Sequence, residues 1–279
     1  MKVGELRRLL ADRGLAPAKG RGQNFLVDPA LLAAIPRDAG VVAGERVLEI
    51  GPGAGALTER LLEAGAELLA VELDHGLAAL LRERLAPAIE SGSLVLVEGD
   101  VLGADGLLHD RVEEWWPAGP PPRLVANLPY AITGPFLGRL PGRPMLGACL
   151  LLQREVARKA LSGPAGGPLG VRLELAFHGR LGRRVPPEVF WPAPQVESAF
   201  LHLEPRADAP SVEVDRKLRE LLRLAFSQRR KRLLPRLAKL DPAAAAALEQ
   251  AGADPSHRPE QLSSALWLAA ARNAIILGS

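Results

Sequence analysis

The sequence predicts an α/β fold, a doubly wound parallel sheet followed by a small all-helical region, on three observations. Short, continuously apolar, β-rich runs alternate with helical stretches from about residue 45 to 205. These runs do not alternate apolar with polar, which marks strands covered on both faces, as in a parallel sheet. Beyond residue 206, helical stretches follow one another with no strand between them. Parallel strands need right-handed crossovers, so such a sheet collects ligands at the C-terminal ends of its strands.

Taken in order, RVLEI (46–50) reads as the first buried strand, and GALTERLLEAG as a helix that ends at Gly65. LLAVEL (68–73) is a second strand and HGLAALLRERL a second helix. SLVLVEGD (93–100), RLVANL (123–128) and MLGACLLL (145–152) read as further strands. PAGPPP (117–122) is a loop, too short to link domains. VDRKLRELLRLAF, PRLAKL, PAAAAALEQAG and SSALWLAAARNAIILG (263–278) read as helices. A boundary near 206 therefore divides residues 1–205, which carry the sheet, from the helical residues 206–279, and no internal repeat crosses it.

Bulk properties narrow the function classes. A chain of 279 residues, 48% hydrophobic and 24% charged, can bury a proper core and reads as globular and soluble. Cys149 is the lone cysteine, so no internal disulfide can form and a reducing, cytoplasmic setting is expected. MKVGELRRLLADRG is charged throughout and does not resemble a signal peptide. No apolar segment approaches the ~20 residues needed to cross a bilayer, so no membrane partner is expected. The five histidines lack metal-ligand spacing, and no metal site is expected. A monomer is the default.

The net charge of +3 is unevenly placed. Residues 206–239 hold eleven Lys/Arg against four Asp/Glu, a local excess of +7 that leaves −4 for the rest. Such a run can be a solvated helix face; a basic cap on a mildly acidic body also suits a polyanion, nucleic acid above all.

The chemistry is carried by the predicted strand ends. In EIGPGAG (49–55) the glycines at the first strand end let the backbone approach a ligand, but Gly51-x-Gly53-x-Gly55 departs from the G-x-G-x-x-G of dinucleotide sites. Glu72 closes the second strand, where a carboxylate accepts from both ribose hydroxyls, and Asp100 closes the third, within reach of an adenine amino group. Either could be a plain surface carboxylate. Three polar features at successive strand ends together indicate an adenosine-containing cofactor.

The fourth strand ends in Asn127-Leu128-Pro129-Tyr130. The lone pair of an exocyclic adenine amine is delocalised into its ring. Hydrogen bonds to the Asn127 side-chain carbonyl and the Leu128 backbone carbonyl would draw that nitrogen toward tetrahedral geometry and free the lone pair. Pro129 would fix the turn that aims both carbonyls, and Tyr130 would stack on the base. An Asn-capped turn with a core tyrosine is the plainer alternative.

Eight stretches now coincide in order: GQNFLVD (22–28), LEIGPGAGALT (48–58), VELD (71–74), EGDVL (98–102), ANLPYAIT (126–133), LLQREVA (151–157), FWPAPQVES (190–198) and AFSQRRK (225–231). With these the chain resembles the ribosomal RNA adenine N6,N6-dimethyltransferase family, the small-subunit enzymes linked to kasugamycin sensitivity. The resemblance implies a Rossmann-like class I methyltransferase domain with S-adenosyl-L-methionine as methyl donor. It implies that Gln23, Asn24 and Leu26 fold over the cofactor, that Gly51 and Gly53 line its methionine part, and that Glu72 takes the ribose and Asp100 the adenine. Asn127 would then lie between cofactor and target. Phe190 matches the family's second aromatic beside the target base, with a core phenylalanine as the alternative.

The implied reaction is in-line attack of adenine N6 on the methyl carbon, twice, with orientation mattering more than a strong base and aromatic faces steadying the cationic amine. The target base must be unpaired or flipped out. Arg229, Arg230, Lys231 and Arg232 look like phosphate contacts, and Arg180, Arg183 and Arg184 could extend that surface. The implied partner is 16S-type rRNA within the 30S subunit. The chain departs from the family at SGPAGGPLG (162–170), with Leu169 in place of an aromatic, at Ala131 and at Ala193, which leaves the grip on RNA open. Competing readings are the large-subunit methyltransferase of the macrolide-resistance type, a non-catalytic ribosome-assembly factor, and a nicotinamide-dependent dehydrogenase.

Overall fold

A computed structural model of the chain describes residues 2–18, 22–103, 107–228 and 231–277. Its nine strands are β1 (Phe25–Leu26), β2 (Arg46–Ile50), β3 (Glu67–Glu72), β4 (Leu94–Glu98), β5 (Arg123–Asn127), β6 (Gly147–Gln153), β7 (Phe177–Val185), β8 (Phe190–Trp191) and β9 (Ser198–Pro205). Seven form one sheet in the order β4-β3-β2-β5-β6-β9-β7, and β1 pairs with β8 in a separate two-stranded ribbon.

The five apolar runs form the parallel part of the sheet, with the edge strand β4 partly exposed and the inner strands buried. The chain leaves β2 outward through β3 to β4, then returns to the other flank of β2 as β5. That reversal opens a crevice between the C-terminal ends of β2 and β5, the place where open α/β sheets bind ligands.

The sheet is mixed rather than parallel throughout. β9 runs antiparallel to β6, with Ser198 opposite Gln153, and β7 adds an outer strand. β7, FHGRLGRRV, is exposed along most of its length and has no apolar run to announce it. Its arginines suit an edge, where charge discourages pairing with another chain.

Helix starts follow from local chemistry. Asp28 accepts from Leu31 N–H ahead of the helix Pro29–Asp38, and Asp74 accepts from Leu77 N–H ahead of His75–Arg84. The helix Ala56–Glu63 starts instead from Gly55, at φ 85°, a left-handed conformation that glycine adopts freely. Leu57 and Leu61 from this helix join Val47, Leu68, Val125 and Phe200 from the sheet in one core.

The chain divides into two compact units. The first holds the residues up to Phe136 with Pro144–Glu155 and Leu181–Leu203; the second holds Leu137–Arg143, Val156–Arg180 and the chain from Glu204 on. In the second, the helix Val212–Phe226 turns Leu218, Leu221, Leu222 and Ala225 inward against Trp267 and Ala271 of the helix Ser264–Leu277. The i, i+3, i+4 spacing of those residues makes the buried stripe. A buried ion pair, Arg172 bidentate to Asp215, lies in this unit. Among the described residues, no helix is long and apolar enough to cross a membrane.

Candidate functional site

An open cavity lies at the crevice between β2 and β5. Its first wall is the turn after β2. Gly51 and Gly53 sit at φ 66° and 61°, where a side chain is strained, and a Cβ on either would come within 3.0 Å of the Pro129 or Phe25 ring. Only glycine lets this turn press so close to both neighbours.

Two carboxyls face the cavity. Glu72, at the end of β3, is 4% exposed; its Oε2 accepts from Gly53 N–H at 2.9 Å and its Oε1 from Asp74 N–H at 2.8 Å. Burial pushes its pKa up, and these two N–H groups offset part of the rise. Glu49, within β2, is 1% exposed, and its Oε2 has no hydrogen-bond partner. Burial pushes its pKa up to about 8; the Thr58 hydroxyl opposes the rise and the charge of Glu72 adds to it. Thr58 is itself fully buried, and its Oγ1 lies outside hydrogen-bond geometry.

A buried carboxyl oxygen without a partner suits a ligand that brings a cation or a donor. A ligand with an ammonium and ribose hydroxyls fits this wall.

The opposite wall is the segment after β5. Asn127 donates from Nδ2 to the Asn24 backbone carbonyl at 3.0 Å. This fixes the amide so that Oδ1, an acceptor, is turned away from the Asn24 carbonyl. Leu128 N–H donates to the Leu151 carbonyl, which sets the next peptide plane. The Pro129 carbonyl accepts from Ile132 N–H and from the Thr133 hydroxyl, locking the turn. Half-buried Tyr130 lines the cavity, and its hydroxyl lies 2.9 Å from Ser198 Oγ.

The cover is residues 22–27. Gln23, Asn24 and Leu26 line the cavity from this segment, and β8 holds it: Leu26 pairs with Phe190, Phe25 with Trp191, and Val27 N–H donates to the Val189 carbonyl. The helix Val3–Ala11 adds Leu6 to the lining, packed with Leu10 against Phe25, Val27 and Leu77.

Most of the residues singled out from the sequence therefore meet in one cavity: the covering segment, the glycine turn, Glu72 and the run Asn127–Tyr130. Two do not. Asp100 is exposed, outside the cavity lining, and its Oδ1 accepts from Leu102 N–H at 2.9 Å. Phe190 is 3% exposed within the sheet core, where its apolar ring is better kept from water than in an open cleft. Its strand braces the cover. Lys231 and Arg232 are exposed in the second unit, where Arg232 lines a polar recess with Arg258 and Ser256. Arg229 and Arg230 lie outside the described residues.

Sequence reasoning passed over Glu49 and Ser198. The signal for Glu49 was a charged residue inside the apolar run RVLEI; Ser198 had none beyond closing FWPAPQVES. Among the described residues, no group of three or more His, Cys, Asp or Glu side chains is placed to hold a metal.

The family described as ribosomal RNA adenine dimethylase matches residues 18–274. A ribosomal RNA small subunit methyltransferase A from Magnetococcus marinus is 41% identical over 265 residues, covering 93% of this chain and 92% of its own. One of the same name from Leifsonia xyli is 42% identical over 270 residues, covering 92% of each. Among solved structures, the 23S rRNA methyltransferase ErmE superposes with TM-score 0.62 at 26% identity, over 90% of this chain and 100% of its own. A dimethyladenosine transferase from Plasmodium falciparum superposes with TM-score 0.69 at 22% identity, over 91% and 98%, and shares the fold.

Proposed function

The chain belongs to the ribosomal RNA adenine dimethylase family, and on that premise we propose that it methylates small-subunit rRNA with S-adenosylmethionine. The proposed products are two adjacent N6,N6-dimethyladenines in the 3′-terminal hairpin loop, formed on the 30S particle in the cytoplasm by a monomer. The observation that carries this reading is the Asn127 amide, clamped to the Asn24 carbonyl with its acceptor oxygen left for an amine.

S-adenosylmethionine supplies, when bound, a methyl group on a good leaving group. The residues of the first unit divide the remaining work. Glu49 pairs with the ammonium of the methionine part, and Glu72 accepts from the ribose hydroxyls. Gly51 and Gly53 let the backbone close on the donor, while Gln23, Asn24 and Leu26 shut water out. Asp100 serves the adenine from its exposed strand end. Asn127 Oδ1 and the Leu128 carbonyl accept from the target N6 and expose its lone pair, and Tyr130 stacks on the base. The buried Phe190 supports the cover through β8. Arg229, Arg230, Lys231 and Arg232, with Arg258 beside Arg232, hold RNA phosphates on the helical region 206–279.

Labelled S-adenosylmethionine offered to 30S subunits lacking the modification, with 50S subunits and protein-free rRNA in parallel, tests this reading. Label is expected on 30S material as N6,N6-dimethyladenine, reduced at least about a hundredfold in Asn127→Ala. Label on 50S material instead would move the assignment to the large-subunit branch, the reading that the likeness to ErmE favours. Cofactor binding with no label on any RNA would leave a non-catalytic assembly factor.

A further inference from the structure

FWPAPQVES leaves a question once Phe190 is placed in the core. Its first two residues brace the cover over the cavity, so what its last residue does is not explained by that bracing. Ser198 opens β9 and is fully buried, opposite Gln153 of β6. A hydroxyl at such a place needs a partner, and the one it meets is the Tyr130 hydroxyl at 2.9 Å.

Tyr130 is thereby held at both ends. At its root, the Pro129 carbonyl accepts from Ile132 N–H and the Thr133 hydroxyl, which fixes the backbone. At its tip, Ser198 stops the ring from swinging, and Ser198 sits in a strand paired over six residues with β6. The ring between these points forms part of the cavity wall.

We propose that Ser198 is a positioning residue for methyl transfer: its hydroxyl holds the Tyr130 ring in the plane on which the target adenine stacks. The proposal rests on the methyl-transfer function proposed for this cavity. In-line attack tolerates little misplacement of N6, and a ring that has lost its tether must be ordered again in each of the two rounds.

Tyr130 is the only tyrosine in the chain, so its phenol can be followed in the intact protein without labelling a particular site. Burial raises its pKa and the Ser198 bond lowers it. In Ser198→Ala the tyrosinate absorbance should therefore appear at higher pH than in the wild type. Methyl transfer to 30S subunits should fall about three- to tenfold in kcat, the weight of one hydrogen bond, with KM for S-adenosylmethionine unchanged. Ser198→Ala should add nothing in a Tyr130→Phe background, and Ser198→Thr, which keeps the hydroxyl, should recover the rate.

An unchanged tyrosine titration in Ser198→Ala overturns the proposal by showing that the bond is absent in solution. A shifted titration with an unchanged rate overturns the positioning role. An equal loss whether Tyr130 is kept or replaced by phenylalanine, or no recovery in Ser198→Thr, assigns the effect to packing and overturns it too. A wild-type protein inert on every RNA overturns the methyl-transfer reading and this role with it; the other outcomes, with an active wild type, overturn the role alone.

Discussion

Replacing Glu49 by Gln removes a titration that the fold makes expensive, and stability against pH should show it. In the folded protein the Glu49 carboxyl keeps its proton up to about pH 8, against an ordinary value of 4.5. The folded state thus binds more protons than the unfolded chain between those values, and stability falls as pH rises through that window. The contribution is fully present below about pH 4.5 and is lost by about pH 8. A tenfold change in proton affinity is worth about 1.4 kcal/mol, so at neutral pH the group costs the ligand-free protein roughly 3 kcal/mol. Gln has nearly the same shape and no charge to lose.

Urea unfolding followed by tryptophan fluorescence, without ligand, at pH 5, 6 and 7 measures this. The wild type should lose about 2–3 kcal/mol relative to Glu49→Gln over that range. Glu72 is shifted in the same direction and is present in both proteins, so the difference reports Glu49 together with its coupling to Glu72. S-adenosylmethionine at saturation should flatten the wild-type slope, because an ammonium beside Glu49 favours the charged form, and its affinity for the wild type should rise with pH toward 8. Parallel stability curves for the two proteins would refute the reasoning, since a carboxyl that titrates normally is not buried and unpartnered.

Other perturbations follow from the same geometry. Gly53→Ala places a Cβ 3.0 Å from the Phe25 ring at φ 61°; thermal unfolding should show a loss of about 1–2 kcal/mol, and calorimetry a weaker hold on S-adenosylmethionine. Asp215→Ala strands the Arg172 guanidinium in the second unit and should lower stability by about 3–5 kcal/mol in denaturant titrations, with an unaltered cavity. Replacing Lys231 and Arg232 together by Ala should weaken binding of unrelated RNAs alike and reduce the slope of log affinity against log salt by about 1–2.

The central strands could be read because burial on both faces favours mostly apolar runs without polar alternation, as in RVLEI, LLAVEL and RLVANL. β7 could not, since an exposed edge strand rich in arginine looks like any polar segment. Phe25–Leu26 and Phe190–Trp191 are strands only because they pair with each other across the fold, and two residues carry no periodicity of their own. Phe190 shows the limit most sharply. An aromatic ahead of a proline turn has the same sequence whether its ring faces a ligand or fills the core, and only its neighbours decide. Glu49 was visible as a charge in an apolar strand, but that it has no partner is a property of the surrounding space.

The amine cradle divides along the same line. Asn127-Leu128-Pro129-Tyr130 is contiguous, so its chemistry can be read from four letters: an amide, two backbone acceptors and a ring. What those groups can do depends on their orientation, and that comes from elsewhere. The Asn127 amide is turned by the carbonyl of a residue 103 positions earlier, and the Tyr130 ring is tied by a hydroxyl 68 positions later. The first contact belongs to the cover over the cavity, so seating the cover and aiming the Asn127 acceptor are one event. The second belongs to the end of the segment whose beginning braces that cover. Two strand-edge motifs without reactive side chains thus set the geometry of a third, which holds the proposed contacts to the base.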